Sequence, residues 1–296
     1  MKQDRVESHL MNRATPTSPS PGRSASDHQP HWTLDWIDYP RIRTESVHDN
    51  VELFYLLASA SFVESGSETY TRNLVEHFDA YPAISDWLQH QWEPEELQHG
   101  RALKTYVQTV WPEFDWEAAY ASFFSEYSRL CTVEELEDDR ALELVARCVV
   151  ETGTATYYQT LRDFTCEPVL NELAEHIRVD EVQHYKHFYR YFKEINAERN
   201  LSRARILGAL KRRLAELRTS DSDIALRHVW LFQPHFDAVG DVPFEHICQR
   251  LYHHVGARLP MEQAVKMLLK PLALPHRMEH LIERPLTHLA RRVMAA

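Results

Sequence analysis

Two segments of this chain repeat one pattern. Glu96-Leu97-Gln98-His99 and Glu181-Val182-Gln183-His184 each place a carboxylate and an imidazole three residues apart, with glutamine before the histidine. Residues three apart share a helix face. Around the second copy, Leu170, Leu173, Ile177, Phe188, Phe192 and Ile195 mark an apolar stripe that Glu181 and His184 interrupt. Charge at such a position is costly unless it is paired or coordinates a metal. Upstream of each copy stands a glutamate in a related local sequence, Glu64 opening ESGSETYTRNL and Glu151 opening ETGTATYYQTL. The two stretches share Glu, Gly, Thr, Tyr and Leu at corresponding places, and the spacings to the second glutamate are 32 and 30 residues. The chain therefore contains a duplicated helix pair, each copy supplying Glu and then Glu-x-x-His.

Four carboxylates and two imidazoles in a four-helix core are the ligand set of a di-iron or di-manganese carboxylate site. Mixed oxygen and nitrogen donors suit iron or manganese, whereas softer metals recruit thiolate. Without metal, the carboxylates would repel one another and titrate upward. The candidate ligands are Glu64, Glu96, His99, Glu151, Glu181 and His184. Glu68 lies one turn beyond Glu64, but it aligns with Ala155 in the duplication, which favours Glu64.

Glycine is scarce, at 7 of 296 residues, and long stretches lack both glycine and proline, so helix is expected over sheet. No apolar run approaches the roughly 18–20 residues of a membrane span, and the first 30 residues hold no signal-peptide core. A soluble, cytoplasmic protein is the expectation, and with a net charge of −11 no nucleic-acid partner is expected. Cys131, Cys148, Cys166 and Cys248 are scattered with no C-x-x-C, which removes zinc ribbons and a rubredoxin-type centre. Electrons for the site would come from a separate protein.

The Ser- and Pro-rich first 30 residues read as a disordered arm, and residues 31–45 as an extended aromatic lead-in. The bundle is expected over 46–198, with helices at about 51–78, 82–110, 133–164 and 168–198. A crossover helix at 115–130 would let the two pairs face one another. Pro94 lies two residues before Glu96, where it either kinks the second helix or opens a new one. Residues 199–296 carry 16 Lys/Arg against 9 Asp/Glu, while residues 1–198 carry 17 against 35. This C-terminal region reads as a basic accessory set of helices, opening with LSRARILGALKRRLAELR and ending in two or three short helices punctuated by Pro260, Pro271, Pro275 and Pro285. It is expected to cap the bundle or form a dimer contact, and its charge either attracts an acidic partner or complements the bundle itself.

These motifs resemble the ferritin-like di-iron carboxylate proteins, and among them the soluble acyl-carrier-protein desaturases. Glu64 with Thr69-Tyr70 and Leu74 resembles that family's first ligand helix. Trp87 and Trp92 lead into Glu95, Glu96, His99 and Gly100 as its second does; Glu151 with Thr154, then Asp180, Glu181 and His184, follow its last two. The likeness covers about residues 46–198. It departs from the family before the first ligand helix and over the last hundred residues. Aryl-amine N-oxygenases of the same superfamily carry a further histidine one turn before the last glutamate, where this chain has Ile177.

The resemblance implies an all-α fold, a ferritin-like four-helix bundle with a crossover helix and additional C-terminal helices. It implies two iron ions, with manganese as the other metal such a ligand set accepts, and an external electron donor. Glu64 and Glu151 would be terminal ligands, Glu96 and Glu181 bridges, and His99 and His184 one nitrogen to each ion. Thr154 is the candidate catalytic hydroxyl, although a helix-backbone-bonded threonine is the plainer reading of it. Asp180 is a candidate partner for a ligand histidine; Tyr70, Tyr157 and Tyr158 lie one to two turns from ligand glutamates and read as electron carriers, channel gates or core aromatics. The expected function is O2-dependent oxidation, by desaturation or hydroxylation, of an apolar and acyl-carrier-bound or free substrate by a homodimer. The competing readings are N-oxygenation, a ferritin-like ferroxidase, and a binding protein that has kept the bundle.

Overall fold

The computed structural model describes residues 30–216, 221–236 and 242–295. The expected arm lies outside them as far as residue 29. Among the described residues every regular element is helical. The chain enters through 3₁₀ turns at Leu34–Trp36 and Tyr39–Arg41 and a one-turn helix at Thr44–Val47 rather than as an extended lead-in. Trp32, Ile37, Ile42 and Val47 are buried, so this lead-in belongs to the core.

Seven helices follow: α1 (Val51–Ser65), α2 (Ser67–His77), α3 (Pro82–Trp87), α4 (Glu93–Val110), α5 (Trp116–Leu130), α6 (Arg140–Phe164) and α7 (Pro168–Arg199). Four of them, α1, α5, α6 and α7, start on side-chain oxygens that accept otherwise unpaired backbone N–H groups. Asn50 accepts from Leu53 and Asp115 from Ala118, each at 3.0 Å, Asp139 accepts from Ala141 at 3.0 Å, and Glu167 accepts from Leu170 at 2.7 Å. Asn200, at φ 49°, closes α7 in the left-handed conformation that terminates helices.

The expected first core helix is divided at Gly66, which lies under the Tyr127 ring. The third begins at Arg140 rather than near 133, because Asp139 caps it there and Val133–Glu135 forms a separate 3₁₀ turn. At Pro94 the helix neither breaks nor restarts after a loop. A π turn, Leu88–Trp92, joins α3 to α4, and the Glu93 N–H donates to the Leu88 carbonyl five residues back. Proline then occupies a first-turn position of α4, where its missing donor is tolerated. Such wide turns are frequent at functional sites, and this one ends three residues before Glu95.

Two apolar clusters fill the bundle, one at each end. The first contains Phe62, Leu103, Tyr158 and Ile177, and the second Leu74, Trp92, Cys148 and Phe188. On each of the four core strands of helix the candidate ligands fall between residues of one cluster and residues of the other. Glu64 lies between Phe62 and Leu74, Glu96 and His99 between Trp92 and Leu103, Glu151 between Cys148 and Tyr158, and Glu181 and His184 between Ile177 and Phe188. A polar layer thus crosses the middle of an otherwise apolar bundle. The same order gives the chain directions: α1 and α7 run from the first cluster to the second, α4 and α6 the reverse. Because α4 ends where α6 does, α5 and the 131–139 segment must return along the bundle, which is the expected crossover. The fold is a ferritin-like four-helix bundle.

Five further helices follow among the described residues: α8 (Arg203–Glu216), α9 (Asp221–Phe232), α10 (Phe244–Arg258), α11 (Met261–Leu269) and α12 (His276–Ala295). Helix α9 packs on α1 and α5, α8 and α11 pack on α6, and α12 lies on α10 and α11. Pro285 falls inside α12 and does not end it. Part of the basic excess is absorbed by the bundle. Arg212 donates twice to Glu137, at 2.8 and 2.7 Å; Arg199 and Arg205 meet Asp139 at 2.9 and 3.0 Å; Arg227 and His228 meet Glu126 at 2.5 and 2.9 Å.

Candidate metal centre

The polar layer brings all six candidate ligands together in two overlapping quartets. Glu64, Glu96, His99 and Glu181 form one, and Glu96, Glu151, Glu181 and His184 the other; within each quartet the donor atoms lie within 4.8 Å of one another and every residue is buried. Glu96 and Glu181 belong to both. Glu68 is exposed and takes no part.

Close helix approach makes this convergence possible. A Cβ on Gly100 would lie 2.6 Å from the Ser65 Oγ and 2.7 Å from its backbone nitrogen. Glycine after His99 therefore lets α4 touch the backbone of α1 beside Glu64.

Each histidine is held by an acid from the opposite half of the duplication. His99 Nε2 lies 2.9 Å from Asp180 Oδ2, and His184 Nε2 lies 2.8 Å from Glu95 Oε2. A carboxylate only accepts, so in both rings Nε2–H donates to the acid, and Nδ1 is turned to the centre, where a metal would take its lone pair. Asp180 was legible as a histidine partner; Glu95 was not, although both acids immediately precede a shared glutamate. Asp180 also accepts from Trp32 Nε1 at 2.7 Å and faces His31 Nδ1 at 2.7 Å. Tyr158 donates from its hydroxyl to Glu64, and Thr154 Oγ1 donates to Glu181 Oε2 at 2.7 Å. Thr154 also approaches the carbonyls of Val150 and Glu151 at 3.4 and 3.3 Å, so both readings of its hydroxyl describe the same side chain.

The test of whether these residues suit a metal is what their remaining atoms do. His99 Nδ1, His184 Nδ1, Glu151 Oε2 and Glu181 Oε1 are buried and take part in no hydrogen bond. Around His99 Nδ1 stand Glu181 at 3.3 Å and Glu64 at 3.8 Å; around His184 Nδ1 stand Glu96 at 3.0 Å, Glu151 at 3.7 Å and Glu181 at 3.8 Å. Orphaned buried polar atoms are rare in folded proteins and call for an explanation. Here they face one another in two pairs, His99 Nδ1 with Glu181 Oε1 and His184 Nδ1 with Glu151 Oε2, in the arrangement cations would satisfy.

Electrostatics agree. Burial, with the neighbouring Glu181 and Glu64 carboxylates, holds the Glu96 carboxyl well above the usual range, and burial pushes Glu151 up to about 8. Burial opposes charge on the rings of His99 and His184, yet the surrounding carboxylates override it and raise both well above the ordinary histidine value. Burial likewise opposes charge on Glu181, but the two imidazoles pull its carboxyl below the usual range. The shifts share one cause, a surplus of buried negative charge at the centre. Two divalent ions would neutralise the four central carboxylates and release protons bound there.

An aromatic file runs from the centre toward the surface. Trp32 stacks on His99 with ring centres 6.2 Å apart and on His176 at 5.2 Å, and the His176 ring lies 6.3 Å from exposed Trp36. His176 thus lies between the two tryptophans. Tyr70 lies beneath the Arg147 guanidinium at 4.5 Å, and Tyr157 donates to the Leu56 carbonyl at 2.8 Å.

No protein-family model and no curated protein matches this sequence. Among solved structures, the chain is similar to a variant of an R2-like ligand-binding oxidase with an aerobically reconstituted Fe/Fe cofactor. The TM-score is 0.47 and the identity 13%, over 77% of this chain and 87% of that one.

Proposed function

We propose that this chain is an O2-dependent non-haem di-iron oxidoreductase of the desaturase or hydroxylase type, acting on an apolar, free or carrier-bound substrate. The observation that carries the reading is the set of four buried, hydrogen-bond-free donor atoms in two quartets that share Glu96 and Glu181. Glu64 and His99 would hold one ion, Glu151 and His184 the other, and Glu96 and Glu181 both. Manganese is the alternative occupant of the same donors. When bound, a reduced pair of iron ions supplies the electrons and Lewis acidity for oxidation by O2.

The chain's own residues do the rest. Asp180 and Glu95 keep the imidazole protons on Nε2, and Tyr158 orients Glu64 by its hydrogen bond. Thr154 steadies Glu181 and holds a proton at Oγ1, 2.7 Å from the carboxylate. The apolar clusters above and below the layer exclude water from it. Reducing equivalents come from a separate protein, and the file Trp36, His176, Trp32, Asp180 and His99 supports a route for them. The protein acts as a homodimer, with residues 46–198 as the catalytic bundle and 199–296 as accessory helices.

The decisive experiment measures iron and manganese per chain in the wild type and in a Glu96→Ala/Glu181→Ala variant, followed by O2 uptake of the reduced, iron-loaded protein. About two ions per chain, lost in the variant, with O2 uptake, are expected for this donor set. Folded protein that takes up no iron under anaerobic reconstitution would overturn the proposal. Iron oxidation without any product from apolar substrates would replace it with a ferroxidase.

A further inference from the structure

Helix α12 is amphipathic the wrong way round. A surface helix ordinarily turns its apolar stripe to the protein and its charges to water. In α12 the buried positions are Glu283 and Thr287, with Glu279, Ala290 and Ile282 half-buried beside them, Ile282 being the one large apolar side chain of the helix that packs on the second cluster. Both acids face neighbouring lysines, Glu283 lying 3.4 Å from Lys266 and Glu279 3.9 Å from Lys270. Outward stand Leu281 (73% exposed), Leu289 (56%), Met278 (47%) and Leu286 (37%), with exposed Pro285 among them. At about 100° per residue, Met278, Leu281, Pro285 and Leu289 form one continuous stripe.

The charges on the exposed side are of one sign. Arg277, Arg284, Arg291 and Arg292 are all exposed, and the helix has no exposed acid among its described side chains. On the same angular count Arg277, Arg284 and Arg291 occupy the sector next to the leucines, so an apolar strip and a basic strip run side by side for roughly 20 Å, with Arg292 falling within the apolar strip. Elsewhere in the C-terminal region Arg199, Arg205, Arg212 and Arg227 are paired with the bundle's own acids, while on α12 Arg284 and Arg291 lie near the exposed Glu262 of α11.

We propose that α12 is a docking element for an anionic lipid surface, on which it lies in the plane of the headgroups with Met278, Leu281 and Leu289 inserted. A helix that binds such an interface needs leucine-type side chains on one sector and Lys/Arg beside it, meeting acyl chains and negative headgroups at once. No helix among the described residues is long and apolar enough to cross a membrane, so α12 would hold the protein on a membrane face. The inference stands apart from the metal centre, because α12 contributes none of the ligands.

The test is co-sedimentation of the full chain with vesicles of phosphatidylglycerol mixed into phosphatidylcholine, against phosphatidylcholine alone, at low and high salt. Binding to the anionic vesicles only, weakened by salt, is expected. Arg284→Gln/Arg292→Gln should reduce it roughly thirtyfold, from about one arginine's surface attraction each. Leu281→Asp/Leu289→Asp should abolish it. Because all four side chains are exposed, both variants should keep the wild-type helical spectrum and melting temperature. Equal binding to both vesicle types, or variants that bind as the wild type does, would overturn the proposal. So would a chain that ignores vesicles and forms a dimer that Leu281→Asp/Leu289→Asp dissociates, since a second copy would then be the occupant. Running the assay on metal-free and iron-loaded protein separates this outcome from any failure of the redox reading.

Discussion

Asp180 accepts a hydrogen bond from Nε2 of His99 across 81 residues of sequence, at 2.9 Å, and Glu95 does the same for His184 across 89, at 2.8 Å. The two contacts are exchanged between the duplicated halves. Each half therefore sets the tautomer of the histidine that the other half supplies.

Asp180→Asn and Glu95→Gln are predicted to weaken metal binding selectively. An amide can turn its NH2 toward the imidazole, which then receives a proton at Nδ1 instead of offering a lone pair there. Loss of such a partner typically costs about 10–100-fold in affinity. Chelator competition should show one of the two ions released more readily in each single variant and both in the double variant. Unchanged affinity in all three would mean that the acids do not set the ring orientation.

Thr154→Val is expected to separate positioning of Glu181 from structure. The hydroxyl donates to Glu181 Oε2 at 2.7 Å from a half-buried position, and valine preserves its shape. Stability should change by about 1 kcal/mol or less, because one hydrogen bond is lost. The ratio of product formed to O2 consumed should fall while iron content stays at the wild-type level. A variant with an unchanged ratio would leave Thr154 as a helix-bonded core residue only.

The cluster of candidate ligands was legible because its pattern is local and repeated. Each Glu-x-x-His lies within one helical turn, and the duplication separates Glu64 from Glu68 without any structure. Glu95 was hidden for the opposite reason: its histidine is on another helix, and nothing near position 95 announces it. Pro94 was ambiguous because a π turn leaves no sequence signature beyond the proline itself. The early end of α1 at Gly66 reflects Tyr127 arriving from the crossover helix, a contact no local pattern contains. For α12 the sequence shows two faces, but only the packing on α10 and α11 decides which one meets water.

Two glycines near the centre make opposite predictions. Gly100→Ala puts a methyl 2.7 Å from the Ser65 backbone nitrogen, which cannot swing aside. Overpacking of this kind costs about 1–3 kcal/mol, and the forced separation of α4 from α1 should also lower iron content. A Cβ on Gly153 meets no atom within 4 Å in the middle of α6. There alanine should stabilise the chain by about 0.5–1 kcal/mol through reduced freedom of the unfolded state. Denaturant unfolding of the metal-free variants measures both, and a Gly100→Ala chain as stable as the wild type would contradict the close approach.

The metal-free protein should lose stability as pH rises through neutrality. Glu96 and Glu151 are held above the ordinary carboxyl value of 4.5, Glu151 at about 8, and His99 and His184 above the ordinary 6.5. Over that span the folded chain keeps protons that the unfolded chain has released, and stability then falls with increasing pH. Glu181 is displaced downward, so its contribution is lost only as acid is added below 4.5 and does not offset this trend. The melting temperature of chelator-treated protein should therefore drop between about pH 6.5 and about pH 8. Iron-loaded protein should not follow, because metal has displaced the same protons and binds more tightly as they leave. Calorimetry of both forms across this range checks the sign. A metal-free protein that becomes more stable toward pH 8 would show that the central carboxyls are ionised without any metal to hold them.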